Sequence, residues 1–551
     1  MRKIILLFKV IIILLPAALF AQNKVVTGTV RDVGGALPGA SVLEKGVSSN
    51  GTVTDVNGKF KLTLRGSSNT LIVRFIGYND QEFKAGDGSI DIILASKSQS
   101  IEEVMVTGFG TKKRITNTGA ASTISAATIR TVPTANVQNT LAGRLPGFFS
   151  QQSSGQPGKD ASDFFIRGVS SLNPAGNQPL IIVDDIEYSY DQLQQINVNE
   201  IESITILKDA STTAIYGIKG ANGVLVVSTR RGKSGSPKFN LRVESGVQSP
   251  TRTPKFLNSY ETAQLINEAF LNDGLEGQFQ FSQTDLDHFK NGTDKYNHPD
   301  VDWYNEIFKK NSVQTNSNLD ISGGSEQVKY FISGGAMLQN GLNKDFSDPQ
   351  NLVNTNYTFK RYNFRSNFDL KATKTMDIRV DVTTRFSDLN QPHELSSVGQ
   401  IYDFKSQTPF SSPVLNPNGS YSYAYSRFNP TQLPTLNARL GTGGYDNSKR
   451  TDFNALLGVT QKLDDLTKGL SLTGRVAYSS IEQFTKSVSR STIPSFHYNP
   501  DGTYIKNPNG TFFYSPYHQS ASSDISITNL NLQLYANYDR TFNEDHHFTG
   551  L

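Results

Sequence analysis

The second half of the chain is built from long segments in which apolar and polar residues alternate. Eighteen of the 22 tyrosines fall in this part, after residue 236. A period of two predicts strands whose two faces differ, and aromatic-rich segments of this length are typical of transmembrane antiparallel β-barrels. The apolar positions are Phe239, Leu241, Val243; Leu319, Ile321; Val328, Tyr330, Ile332; Tyr362, Phe364, Phe368, Leu370; Ile378, Val380, Val382; Phe453, Ala455, Leu457, Val459; Leu470, Leu472, Val476, Tyr478; and Leu530, Leu532, Leu534, Tyr538.

The connections between these segments alternate in length along the chain. The long ones cover residues 249–314, 340–360, 388–451 and 483–527, and the short ones cover 324–327, 371–375, 464–469 and 541–546. Outer-membrane barrels have short periplasmic turns and long external loops, whereas a soluble sandwich has no reason to keep this rhythm. Because a long connection follows the first segment, that strand is expected to begin on the periplasmic side.

The segments number about nine, and the last one breaks off at the final residues of the chain. An open sheet edge cannot face lipid without leaving backbone groups unpaired. A barrel wide enough to hold an internal domain of over a hundred residues needs roughly 22 strands. We therefore expect 237–551 to be the N-terminal part of a barrel of about 22 strands, with the C-terminal part missing from this sequence.

Residues 1–21 have a basic start, an apolar run and a small-residue end, which predicts a secretory signal peptide cleaved after Ala21. This segment carries three of the 53 basic residues and none of the 49 acidic ones, so the mature chain is nearly neutral. That balance argues against a nucleic-acid binder that neutralises phosphates. The chain has no cysteine, which excludes disulfides and a lipid-anchored N-terminus.

Before the barrel segments, the chain divides into three zones. Residues 24–96 consist of short strand-like segments separated by glycine-rich turns, a pattern that predicts a small β-sandwich. Residues 97–117 form a polar linker, and residues 118–236 are mixed α/β, with a predicted helix ending at Gly143. The linker contains one strand-prone stretch, EEVMVTGFG at 102–110, with no partner strand in the local sequence. Such a stretch is either an edge strand or a peptide that another protein captures.

The stretch AIYGIKGANGVLVVST at 214–229 raises the question of a phosphate-binding loop. Phosphate loops follow a strand and open a helix, but these glycines follow a helix-like stretch, Asp209 to Tyr216, and run into a strand, Val224 to Thr229. They are interpreted as a helix stop and a tight turn. The seven histidines show no metal-ligand spacing, and the adjacent Asp184 and Asp185 are interpreted as turn residues, since neighbours on a strand point to opposite faces. No enzyme, cofactor or metal site is predicted.

Several motifs closely resemble SusC/RagA-type TonB-linked outer-membrane transporters. They are LAGRLPGFF (141–149), DFFIRGVSS (163–171), PLIIVDDIEY (179–188), IESITILKDASTTAIYGIKGANGVLVVSTRRG (201–232) and DWYNEIF (302–308). The resemblance implies a carboxypeptidase-regulatory-like domain at 24–96, a plug domain at 118–236 and a TonB box in the linker, with Asp185 standing where the family usually has Gly. The plug signature residues are Arg167, Gly168, Lys208, Asp209, Ala210, Tyr216, Gly217, Gly220, Ala221, Asn222 and Gly223. The TonB box residues are Glu103, Val104, Met105, Val106, Thr107 and Gly108.

The resemblance further implies import of oligosaccharide or peptide cargo through the outer membrane. TonB with ExbB and ExbD would supply the energy, and a SusD-like surface lipoprotein would act as a lid. A siderophore or metal-complex receptor of the same class stays open as an alternative, and so does a surface adhesin from a different class. The sequences of the outer loops do not indicate which molecule they bind, so the sequence does not identify the cargo.

Overall fold

The computed structural model describes residues 24–94, 104–107, 110–113 and 120–551. Within these ranges it omits 33–34, 67, 77, 79, 87, 133, 279–280, 347–352, 394–406, 425–431 and 543–545. The predicted signal peptide at 1–21 lies outside the described residues.

The first domain is a β-sandwich of two small sheets, as predicted. One sheet has the order β4–β1–β7 and the other β3–β2–β5–β6. Inward residues alternate with outward ones along each strand, so Val26, Val30, Val42 and Leu71 are buried between the sheets. The strands are β1 (Val25–Arg31), β2 (Ser41–Glu44), β3 (Val47–Val53), β4 (Lys59–Thr63), β5 (Thr70–Arg74), β6 (Gln81–Lys84) and β7 (Ile90–Ile93).

In the linker, two short strands form a two-stranded sheet, β8 (Val104–Thr107) and β9 (Gly110–Lys113). The expectation that the strand-prone stretch has no local partner is therefore wrong for these four residues. Two-stranded ribbons are at best marginally stable in water, so this pairing leaves β8 able to exchange partners. Glu103 and Gly108 lie outside the described residues.

The second domain is an α/β unit around a five-stranded sheet of order β10–β15–β16–β13–β14, with a separate β11–β12 pair. Its apolar core includes Leu141, Phe164, Ile204 and Leu225, all fully buried. The strands are β10 (Ala121–Ser125), β11 (Phe148–Gln152), β12 (Ser162–Ile166), β13 (Leu180–Val183), β14 (Ile186–Tyr188), β15 (Ile201–Leu207) and β16 (Val224–Thr229).

Short helices connect these strands. The helix predicted to end at Gly143 spans Val137–Leu141, and Gly143 follows it with a left-handed φ of 70°. The α-helices of this domain are Ala126–Ile129, Val137–Leu141, Tyr190–Gln194 and Ala210–Thr213, and the 3₁₀ helices are Pro174–Asn177, Val198–Glu200 and Ala214–Gly220.

The remainder of the chain forms an antiparallel nine-stranded sheet, with strands paired in chain order except that the short hairpin β24–β25 stands apart. The predicted number of strands and the alternation of long and short connections are both confirmed. The first strand begins at Gly235, two residues before the predicted start of the barrel at 237. The strands are β17 (Gly235–Gln248), β18 (Ser312–Gly324), β19 (Val328–Asn340), β20 (Thr358–Lys371), β21 (Met376–Pro392), β22 (Gly444–Lys462), β23 (Leu470–Ser489), β24 (Phe496–Tyr498), β25 (Tyr504–Lys506), β26 (His518–Phe542) and β27 (His546–Gly550).

Exposure along these strands is inverted relative to a soluble protein. On β20, Tyr362 and Phe364 are 45% and 48% exposed, whereas the alternating Arg365 and Asn367 are at most 2% exposed. An apolar outer face and a polar inner face are the pattern of a barrel wall in lipid. The α/β domain packs on the polar inner face, where Arg361 donates to the carbonyl oxygens of Ala135 and Gln194.

The long connections carry the remaining helices, which are the α-helices Ser259–Asn272, Gln283–Asn291, Trp303–Ile307 and Leu436–Thr442 and the 3₁₀ helix Glu276–Gln278. Over the described ranges, no helix is both long enough and apolar enough to cross a bilayer.

Candidate functional site

A two-residue turn between β13 and β14 lies at the centre of the contacts between the α/β domain and the sheet. The turn consists of Asp184 and Asp185, as predicted, with φ angles of 50° and 74°. Left-handed φ at both central positions matches the twist of a tight hairpin, but it strains residues that carry a Cβ. Because these residues leave the strand geometry, their carboxylates do not point apart as strand neighbours do. Both approach the Arg379 guanidinium, at 3.8 and 3.2 Å.

Asp184 is almost completely enclosed by donors. Its carboxylate accepts from the Thr229 backbone N–H at 3.0 Å and the Thr229 hydroxyl at 2.6 Å, and it pairs with Arg365 at 3.3 Å. Burial alone would raise the pKa of Asp184, but Arg379 and Arg365 outweigh burial and hold that pKa below its usual range. The carboxylate is therefore ionised at neutral pH.

Asp185, the second residue of the turn, also attaches the α/β domain to the sheet. Its carboxylate lies 2.8 Å from Arg475 on β23 and 3.2 Å from Arg379 on β21. Its carbonyl oxygen accepts from Gln533 on β26 at 3.1 Å. One residue of the turn thus contacts three separate strands of the sheet.

The segment after β16 adds further ion pairs as the chain passes into β17. Arg231 pairs with Asp369 at 2.7 Å and with Asp381 at 3.0 Å, and Arg230 pairs with Asp320 at 2.9 Å. We call the set Asp184, Asp185, Glu200, Arg230, Arg231, Asp320, Arg365, Asp369, Arg379, Asp381 and Arg475 the ionic interface. Losing one partner of a buried ion pair typically costs about 3–5 kcal/mol, because the other charge stays desolvated. The interface therefore holds this side of the domain on the wall through charged pairs, whereas Ala135 packs with Met337 and Phe359 in a small apolar cluster elsewhere on the wall.

The predicted plug signature residues come together at one end of the α/β domain. Asp209 pairs with Arg167 at 2.5 Å and accepts from the Ala120 N–H at 2.6 Å, and these contacts lower its pKa, the Ala120 bond most. Lys208 donates to the Pro146 carbonyl at 2.6 Å. Arg167 and Gly168 both have left-handed φ, 63° and 98°.

The glycines of the signature act as backbone elements, as the sequence predicted. Gly217 interrupts the 3₁₀ helix with φ 58°, and Gly223 has φ 87° immediately before β16. A Cβ on Gly223 would lie 3.0 Å from Ile166 and 3.1 Å from the Leu207 carbonyl, so only glycine fits. A Cβ on Gly220 would lie 2.9 Å from the Thr213 carbonyl.

The other signature residues make local contacts in the same part of the α/β domain. Ala210 opens the helix Ala210–Thr213, and Tyr216 packs against the small apolar cluster of Leu207 and Val224. The N–H of Ala221 donates to the Ile218 carbonyl at 3.2 Å, and the Asn222 side chain donates to the Gly176 carbonyl at 2.7 Å. The signature is thus a structural unit that shapes one end of the domain.

Among the described residues, no group of three or more acidic or histidine side chains could hold a metal ion. Sequence reasoning missed Arg365, Arg379 and Arg475. The available signal was their position, since each is a charged residue on the polar register of a strand whose opposite register is apolar.

Comparison with known proteins agrees with this architecture. The TonB-dependent Receptor Plug Domain family matches residues 113–224, and the CarboxypepD_reg-like domain family matches residues 26–106. TonB-dependent receptor P26 of Formosa agariphila is 31% identical over 404 residues, which cover 72% of this chain and 37% of that protein. TonB-dependent receptor SusC of Bacteroides thetaiotaomicron is 28% identical over 508 residues, which cover 87% of this chain and 47% of that protein.

Among solved structures, the RagAB peptide importer in its open-open state superposes with a TM-score of 0.61 at 21% identity, covering 81% of this chain and 48% of that one. This likeness concerns the fold alone. The chain spans less than half the length of these relatives. The domains and the sheet define the class of TonB-dependent receptors, whose members are outer-membrane β-barrels. Within that class, the chain belongs with the SusC-like receptors that carry both a regulatory-like and a plug domain.

Proposed function

We propose that this protein imports oligomeric nutrients, glycan or peptide fragments, across the outer membrane in a TonB-dependent manner. The observation that supports this most directly is the ionic interface, because it attaches a folded domain to the polar inner face of a barrel wall. Buried pairs such as Arg365–Glu200 hold a closed state. Charged groups can be hydrated when they separate, which suits a domain that closes a pore and opens locally during transport.

Energy would reach this domain through the linker. In the proposal, residues 103–108 are the TonB box, and TonB, driven by ExbB and ExbD, adds a strand to them. Strand addition depends on main-chain hydrogen bonds, so it requires an extended segment that can leave its own partner. The β8–β9 ribbon meets this requirement, since two strands alone gain little stability from pairing.

Cargo would be captured at the end of the wall that carries the long connections. The family resemblance implies a SusD-like surface lipoprotein as a lid there. The RagAB neighbours are described as a peptide importer, and the family resemblance adds oligosaccharides to the cargo classes. A siderophore receptor and an adhesin are the alternatives.

An uptake assay in the native organism tests the proposal. Cells carrying the wild-type gene should accumulate a radiolabelled oligosaccharide or peptide mixture, and a gene deletion, a TonB deletion or a protonophore should each stop accumulation. Binding without accumulation in the wild type would indicate an adhesin. Accumulation of an iron–siderophore complex in place of oligomers would indicate the receptor alternative.

Purification tests the lid separately. An affinity-tagged full-length protein extracted in mild detergent should retain a SusD-like lipoprotein in a near one-to-one amount. Recovery of the transporter with TonB components alone would mean that import proceeds without a lid.

A further inference from the structure

A cavity of about 470 Å³ lies on the inner face of the sheet, at the end that carries the short turns. Its lining comes from β19 to β23 and the 325–327 turn, and it is dominated by charged and hydroxyl side chains. The lining includes Asp369, Arg379, Thr460, Thr473 and Arg475. A wall of this chemistry favours a hydrophilic solute over an apolar one.

This cavity adjoins the Asp184–Asp185 turn directly. Arg379 and Arg475 line the cavity and at the same time hold the Asp185 carboxylate at 3.2 and 2.8 Å. Asp369 lines it as well and pairs with Arg231 at 2.7 Å. The α/β domain therefore meets the cavity through side chains that are also its ionic attachments.

The turn lies at the edge of the domain's sheet. It joins β13 to β14, and β14 is the edge strand of its sheet, paired through only three residues. Both turn residues are held at left-handed φ, a strain that the surrounding ion pairs must offset. Once water enters, such pairs weaken toward the small contribution that exposed surface pairs make. Separation of one ion pair would therefore admit water to its neighbours and make their separation easier.

The side of the domain that faces β18 and β19 combines the ion pair Arg230–Asp320 with neutral contacts. Asn197 donates to Asn318 at 3.3 Å, and Asn197 lies so close to β19 that a Cβ on Gly335 would come within 2.7 Å of its amide nitrogen. Among the described residues, this side therefore carries fewer ion pairs than the Asp184–Asp185 turn does.

We propose that cargo leaves the barrel along the wall formed by β20 to β23, through this cavity, and that the Asp184–Asp185 turn is the element that moves to open it. The rest of the α/β domain, including its contact with β19, stays in place. The proposal rests on the import function proposed above, and it names the route and a hydrophilic class of cargo.

The route is tested by chemical labelling, for which a chain without cysteine is well suited. Thr460→Cys places a thiol in the cavity, and the matched control Thr467→Cys places one in the exposed 463–469 turn outside the lining. A bulky maleimide applied from the periplasmic side should lower uptake at least fivefold for the first variant, relative to the same cells before labelling. It should leave the second unchanged. Unchanged uptake by fully labelled Thr460→Cys would overturn the route.

The moving element is tested by reversible cross-linking. Ile186 and Leu456 line a common small cavity, so the pair Ile186→Cys and Leu456→Cys can tie the hairpin to β22 with a short, reducible bifunctional thiol reagent. Asn197→Cys with Gly335→Cys ties the opposite side to β19. We expect the first cross-link to reduce uptake to background, with recovery on reduction, and the second to leave uptake intact.

Two outcomes contradict this inference. Import through both cross-links means that the turn does not open, and a block by both means that the whole domain moves. Each variant before cross-linking is its own reference. Failure of the import function itself would appear differently, as no TonB-dependent uptake by the unmodified wild type.

Discussion

Arg365 on β20 and Glu200 in the α/β domain form an ion pair of 2.8 Å, and both side chains are at most 2% exposed. The two residues are 165 positions apart in the chain. Such a pair contributes through the cost of separating its members more than through a net gain over apolar packing. The Arg365–Glu200 pair therefore stabilises the docked domain only as long as water is excluded from it.

A single and a double substitution test the contribution of this ion pair. Glu200→Ala should lower the opening free energy of β15 by about 3 kcal/mol, because Arg365 stays buried with Asp184 as its remaining ion-pair partner. Replacing both partners, Glu200→Leu with Arg365→Met, should recover most of the loss. Amide hydrogen exchange of β15 in detergent measures both variants against the wild type. The exposed pair Lys219–Glu187 provides a control, since Lys219→Ala should cost less than about 1 kcal/mol. A double variant as unstable as the single one would show that lost packing, and not an isolated charge, causes the effect.

Gly223→Ala should destabilise the α/β domain by about 1–3 kcal/mol. The substitution forces a left-handed φ on a residue with a Cβ and presses it against Ile166 and the Leu207 carbonyl. Gly155→Ala is the matched control, because a Cβ there meets nothing within 4 Å. The half-life in limited proteolysis should shorten for the first variant only. Equal half-lives would mean that the turn before β16 relaxes without cost.

Glu44 makes the sandwich domain sensitive to acid. Burial would raise its pKa, but the N–H groups of Arg65 and Gly66 and the Asn50 amide donate to it and lower that pKa overall. A depressed pKa means that the stabilisation is fully present above the ordinary value of 4.5 and is lost as pH falls through the folded-state pKa.

Amide protection in β2, corrected for intrinsic exchange, should therefore fall when the pH is taken from 6 to about 3. Glu44→Gln should be less protected at pH 6 and should show a flatter dependence. The exposed Glu82→Gln, on β6, controls for a general effect of carboxylate removal. Identical pH profiles for wild type and Glu44→Gln would rule out this residue as the source.

Proline at Val104 or Val106 should abolish energised uptake at one or both positions. Proline removes the N–H that strand addition requires, whereas alanine keeps both backbone groups. Alanine at the same positions should therefore have a milder effect, and surface binding of cargo should survive in all variants. Uptake is measured on cells in which heat-modifiable mobility confirms a folded, inserted barrel. Wild-type import by both proline variants would reduce this segment to a linker.

The nine-stranded sheet was predictable because its two faces meet different surroundings. Leu530, Leu532 and Leu534 are each more than 60% exposed, in the alternation that a lipid-facing wall demands. The length of the strands was not predictable. β26 runs from His518 to Phe542, although its apolar pattern starts only near residue 530, because the ladder continues through polar residues that give no alternating signal.

The ionic interface was beyond sequence reasoning for a different reason. Arg379 and Asp185 are 194 positions apart, and no local pattern links them. What the sequence did contain was the turn at Asp184 and Asp185 and the polar register of β20 and β21. The pairing between them follows only once the domain has docked on the wall.

From β20 to β26, each strand of the sheet is longer than the one before it. β17 has 14 residues and β26 has 25; β17 begins at the end of the sheet that carries the short turns, and β26 ends there. With a rise of about 3.4 Å per residue and a tilt of about 40°, the difference amounts to roughly 28 Å of height. The rim at the other end is therefore a slope, high at β26 and low at β17. On the low side the chain continues from β17 into residues 249–311, and the three α-helices described there add height where the strands are short.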